Sequence, residues 1–182
     1  MRDGPTTQAS GIRRSRARAA GFSALELTTA IALVAIFASV LLDRLLYYQE
    51  AYEKANMEYW ANAIKLGLQI RVGHLIAQNR VVDYAEVARE NPIGWLDAPP
   101  PGYRGEVIAT GNPQIAPRSW YYDRTRRELV YVVGQSRYLV PDSDGKARVH
   151  FRVKLVRPDG ALNRDSMVLG LQFAPVESYR WF

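Results

Sequence analysis

The sequence predicts an α+β fold: one long N-terminal helix, apolar in its first half and amphipathic in its second, packed on a small antiparallel C-terminal β-sheet. Three observations carry this. Residues 22–42, FSALELTTAIALVAIFASVLL, form a 21-residue apolar run with a single charge, Glu26. Residues 43–79 keep a helical period but become amphipathic. From Ser119 onward, short runs of β-formers alternate with turn residues.

Composition narrows the function classes. The 182-residue chain has no cysteine, which excludes disulfides, thiolate metal sites and Cys nucleophiles. Its net charge of +6 is concentrated at one end. Residues 1–21 contain Arg2, Arg13, Arg14, Arg16 and Arg18 against Asp3 alone, so most of the basicity belongs to a leader. The nearly neutral remainder argues against a nucleic-acid partner. No phosphate-binding glycine loop, nucleophile elbow or zinc-protease helix occurs, so no enzyme activity, catalytic residue or cofactor is expected.

The apolar run makes a helix of roughly 31 Å, enough to cross a bilayer core of about 30 Å. Arginines precede it, whereas Asp43 and Arg44 nearly cancel after it. The excess of positive charge keeps the N-terminus cytoplasmic and exports everything beyond Leu42. A buried core helix rarely stays charge-free over this length. An ordinary secretory signal puts its small-residue cleavage site after the apolar run. Here Ala19-Ala20-Gly21 precedes it, and Ala35 and Ala38 offer only weak sites within. Glu26 is the anomaly, because a carboxylate at mid-membrane costs on the order of 2.5–3.5 kcal/mol. It lies four residues beyond Phe22, where snorkelling relieves part of that cost. One reading is an interfacial Glu with no role. The other supplies a cationic partner, such as a neighbouring subunit's new amine at Phe22 after cleavage following Gly21.

Gly21-Phe22-Ser23-Ala24-Leu25-Glu26-Leu27 resembles the processing site of type IV pilins and type II secretion pseudopilins. The resemblance spans residues 12–45, with basic leader, Gly, Phe, Glu and apolar helix in order. It implies that a prepilin peptidase removes residues 1–21 by cutting after Gly21 and methylates the new N-terminus at Phe22. It also makes Glu26 the carboxylate that aligns subunits during assembly. There are departures: the leader is longer than the shortest in the family, and no Pro or Gly kinks the helix between Phe22 and Leu66. The lack of cysteine removes the C-terminal disulfide of adhesive type IV pilins and favours a pseudopilin. Glu26 argues against the tip pseudopilin that lacks it. The resemblance therefore implies a minor pseudopilin of a type II secretion system, single-pass in a bacterial inner membrane with its C-terminal domain periplasmic. Its implied partners are other pilin-like subunits through residues 22–42, the prepilin peptidase, the inner-membrane assembly platform and the lipid bilayer, within a periplasmic or surface filament. The alternatives are a minor type IV pilin (pilus priming, adhesion or DNA uptake) and a membrane-tethered periplasmic binding domain that never assembles.

In residues 43–79, Leu45, Tyr48, Tyr52, Ala55, Tyr59, Ala63, Leu66 and Ile70 form a stripe predicted to pack on the sheet, with Glu50, Glu53, Lys54, Glu58 and Lys65 off it. Residues 80–118 form a connecting loop. Asp83 and Glu86 have capping-box spacing for a short helix before Asn91-Pro92. Six prolines and four glycines between 91 and 117 rule out a continuous helix or central strand. The apolar residues Ile93, Trp95, Leu96, Tyr103, Val107 and Ile108 predict an ordered drape with a short strand near 106–110. Subunit contact and plain packing are both open roles for it.

Residues 119–182 are assigned to the sheet. A hairpin is expected from 119–122 and 128–133, with a short run at 138–140 extending it. Residues 148–157 alternate as a half-buried strand, Pro158-Asp159-Gly160 supplies a turn, and 167–173 pairs back. His74 and His150 have no second ligand at metal spacing. Asp142 and Asp144 resemble a fragment of a calcium loop, but the full loop is absent and an Asp/Gly turn is the simpler reading. Arg124, Arg126 and Arg127 beside Trp120-Tyr121-Tyr122 raise single-strand binding as a hypothesis.

Overall fold

The computed structural model describes residues 23–78, 83–108, 114–157 and 170–182. The leader, Gly21, Phe22, the turn at 158–160 and residues 167–169 lie outside them. Helix α1 runs Ala24–Ala77, close to the span read from the sequence. The chain forms two compact units, one ending at Asp43 and one comprising Arg44–Phe182, and α1 contributes to both.

In the second unit a connector follows α1. Helix α2 (Tyr84–Val87) starts where expected, with Asp83 Oδ1 accepting from the Ala85 and Glu86 amides at 2.9 and 3.2 Å. A 3₁₀ turn at Pro92–Trp95 follows, capped by Asn91. Glu90 fastens this connector to the helix. It receives Arg71 through both guanidinium edges, at 2.9 and 3.2 Å, and the Trp95 indole N–H at 2.7 Å. Gly67 allows the close approach, since a Cβ there would lie 3.1 Å from the Trp95 carbonyl oxygen.

Five strands make one sheet in sequence order: β1 (Tyr103–Val107), β2 (Ser119–Asp123), β3 (Glu128–Val132), β4 (Arg148–Val156) and β5 (Gly170–Pro175). The architecture is α+β, but the sheet is mixed, because β1 pairs parallel to β2. The antiparallel expectation rested on tight-turn chemistry, and no such turn joins β1 to β2. Their Pro/Gly-rich link is instead long enough to return the chain to the same end of the sheet. The other pairs are antiparallel. The β2–β3 hairpin closes as the sequence suggests: Asp123 Oδ1 accepts from the Thr125 and Arg126 amides, and Arg127 takes the left-handed φ of 55°. Of the run at 138–140, only Leu139 forms a bridge, with Trp181.

Period-two alternation sorts the strands. Trp120, Tyr122, Leu129, Tyr131, Val149, Phe151 and Val153 join the core with Phe173, while Arg148, His150, Arg152 and Lys154 take the opposite face of β4. On α1 the core residues are Met57, Ile64, Leu68 and Leu75. This corrects the stripe reading. Tyr48, Tyr52, Tyr59, Leu66 and Ile70 are 57–73% exposed, and the buried face instead carries Glu50 and Glu53, at 2% and 4%. Positions 50, 53, 57, 64, 68 and 75 also recur at near-helical spacing. Two carboxylates in that row hid it behind the more hydrophobic aromatic one.

Candidate functional site

Ser23 and Glu26 open α1 as a reciprocal capping box. The Ser23 amide donates to Glu26 Oε2 at 2.9 Å, and the Glu26 amide donates to Ser23 Oγ at 3.2 Å. Ser followed three residues later by Glu was a readable signal that the sequence reading passed over. Glu26 thus has a local role, with Oε2 accepting from the Ser23 amide. The rest of the segment is uniformly apolar, and its few hydroxyls turn inward. Thr28 and Thr29 donate to the Leu25 carbonyl, and Ser39 donates to that of Ala35. Leu25, Phe37 and Leu41 are 75%, 73% and 70% exposed. Among the described residues one helix is long and apolar enough to cross a membrane, with mean hydropathy 2.3 in its most apolar window and none of that window buried.

At the helix–sheet junction, two buried carboxylates organise the turn after β3. Glu53 Oε1 accepts from the Tyr131 hydroxyl at 3.1 Å and the Gly134 amide at 2.6 Å, while Oε2 accepts from the Gln135 amide at 3.2 Å and Arg118 Nε at 3.4 Å. Burial, reinforced by the charge of Glu53, pushes the Tyr131 phenol far up, so it remains a donor. Glu50 Oε1 accepts from the Tyr138 amide and the Trp181 indole N–H, each at 2.9 Å. These glutamates are structural staples that sequence reasoning missed.

The far face of the sheet carries a charge chain. Glu128 receives His150 Nδ1 at 2.9 Å and is paired with Arg152. His150 Nε2 meets Asp142 at 3.3 Å, and Arg148 joins Asp142 and Asp144, both at 2.8 Å. Asp142 Oδ1 also accepts from the Asp144 and Lys146 amides, as an Asp/Gly turn requires. The two calcium candidates are therefore joined through a guanidinium. His150 lies between two carboxylates, while His74 meets Gln78 at 2.8 Å. No cluster of three or more metal-ligating side chains occurs among the described residues.

This chain predicts acid sensitivity. Burial pushes Glu128 and Asp142 up, but this is outweighed for Glu128 by the His150 hydrogen bond and the charges of Arg152 and His150. For Asp142 it is outweighed by the Lys146 amide and Arg148. Both carboxyls end below their ordinary range. A depressed folded pKa makes the unfolded chain the better proton acceptor. The stabilisation is thus complete above about pH 5 and lost as pH falls through the folded values. Thermal unfolding of the full chain in detergent should show a midpoint that drops below about pH 5, and Glu128→Gln should flatten that drop.

No family model, curated protein or solved structure matches the chain.

Proposed function

We propose that this chain is a non-enzymatic minor pseudopilin of a type II secretion system. In this reading, prepilin peptidase processes it between Gly21 and Phe22, and it assembles through its N-terminal helix into a periplasmic pseudopilus. One observation supports the reading above the others: α1 begins at Ala24, three residues after Gly21, and its first turns are apolar and uncovered. Cleavage would release a helix already capped by Ser23 and Glu26, with an amine two residues before its first turn. A surface this apolar needs lipid before assembly and other helices after it. The uncovered stripe from Leu45 to Ile70 adds a second face suited to neighbouring subunits. The α+β architecture, with the later half of a long helix against a small sheet, is compatible with a pilin-like fold.

The cysteine-free chain allows a direct test. Single cysteines introduced at Phe37 or Leu41 should yield a ladder of disulfide-linked oligomers in membranes that contain a prepilin peptidase and the assembly platform. A tethered domain that never assembles would give monomers only.

A further inference from the structure

A cleft of about 570 Å³ lies between the end of α2, the β2–β3 turn and β4. Its basic lining residues are Arg89, Arg126, Arg127, Arg152, Lys154 and Arg157, and no acidic side chain among the described residues lines it. Arg126 and Arg127 were noticeable in the sequence, but their convergence with Arg89, Arg152, Lys154 and Arg157 was not, because the six cations come from three separate segments. Three of them are already engaged. Arg152 pairs with Glu128, Arg126 approaches Asp144 at 3.9 Å, and Lys154 donates to the Pro175 and Val176 carbonyls at 2.8 and 3.4 Å. Arg89, Arg127 and Arg157 have no carboxylate partner among the described residues. A second observation is independent of the charge count: Arg157 Nε is shielded from solvent and has no hydrogen-bond partner among the described residues. A buried donor left unpaired is costly, and turning the Arg157 guanidinium toward an acceptor in the cleft would relieve it.

We propose that this cleft binds a compact cluster of phosphate groups, carried on a lipid headgroup or free as an oligophosphate. A phosphomonoester brings about 1.5–2 negative charges near neutral pH, so about two or three phosphates balance the four positive charges left once Glu128 and Asp144 offset Arg152 and Arg126. Guanidinium groups meet phosphate oxygens through paired N–H donors, which suits a site built from five arginines and one lysine. Single-stranded nucleic acid fits less well, because binding it calls for aromatic stacking platforms. No aromatic side chain lines the cleft, and Trp120, Tyr121 and Tyr122 are only 2–5% exposed. The site does not depend on the assembly reading.

The test titrates the full chain in detergent micelles with tripolyphosphate by calorimetry, at low and at high salt. Saturable binding that weakens with salt is expected, and Arg157→Gln or Arg127→Gly should each weaken it about tenfold. Arg127 sits on an exposed turn at φ 55°, where glycine is favoured, so lost binding there is not lost folding. A short-chain lipid with a bisphosphorylated headgroup identifies the source. Tighter binding than tripolyphosphate assigns the site to a lipid, and equal binding assigns it to free oligophosphate. No binding at low salt, or binding unchanged by both substitutions, overturns the proposal. Tighter binding of an oligothymidylate at equal phosphate concentration overturns it in favour of nucleic acid.

Discussion

Replacing Glu53 with Ala should destabilise the second unit by about 3–5 kcal/mol, the combined cost of leaving two or three of its neutral donors unpaired at about 1–3 kcal/mol each. Glu53 is 4% exposed and accepts from four donors: the Tyr131 hydroxyl, the Gly134 and Gln135 amides and Arg118. Truncation strands the Tyr131 hydroxyl inside the core and frees the turn after β3 from the helix. Glu53→Gln should also be costly, although less so. One of its two terminal groups becomes an NH₂ facing donors, so half of the network loses its acceptor. For a chain of this size, the alanine variant should lower the thermal midpoint by roughly 10 °C or more in detergent, followed by tryptophan fluorescence. A shift under a few degrees would mean that the turn is held by packing and that the carboxylate is incidental.

Glu26 carries the second large effect, and the capping box shows how to isolate it. Two roles overlap at this residue: accepting the Ser23 amide within the chain and, in the proposed assembly, meeting a neighbour's N-terminal amine. Ser23→Ala removes the hydroxyl half of the cap, worth about 1 kcal/mol, and leaves the carboxylate in place. If assembly needs the charge, this variant should keep the disulfide ladder within a few-fold of the parent. Glu26→Ala leaves the neighbour's amine without a counter-charge in the membrane, at a cost on the order of 2.5–3.5 kcal/mol, or about a hundredfold in oligomer formation. Equal losses from the two variants would assign Glu26 to helix capping alone.

The sequence was most legible where local chemistry decides structure. The Asp83 cap, the β2–β3 turn, the alternation along β4 and the long helix all follow from spacing and turn residues. Two features depended on tertiary context instead. The face of α1 that meets the sheet was misread because aromatic weight favoured Tyr48, Tyr52 and Tyr59. The true face contains Glu50 and Glu53, whose burial makes sense only once Tyr131, Gly134, Tyr138 and Trp181 supply donors from far along the chain. The parallel β1–β2 pair was equally hidden, since strand direction across a long link leaves no local mark. At the N-terminus the motif was legible in the sequence and the structure adds the cap, whereas Gly21 and Phe22 lie outside the described residues. Among the calcium candidates, only the turn geometry was readable. The Arg148 guanidinium that joins Asp142 to Asp144 comes from β4.

The central claim is that the chain is processed between Gly21 and Phe22 for assembly. N-terminal mass spectrometry of the full chain co-expressed with a prepilin peptidase, beside a Gly21→Ala control, tests it most directly. The account predicts a mature chain beginning at N-methylated Phe22 and an unprocessed control. An intact leader in the presence of active peptidase would contradict it and leave a membrane-tethered domain.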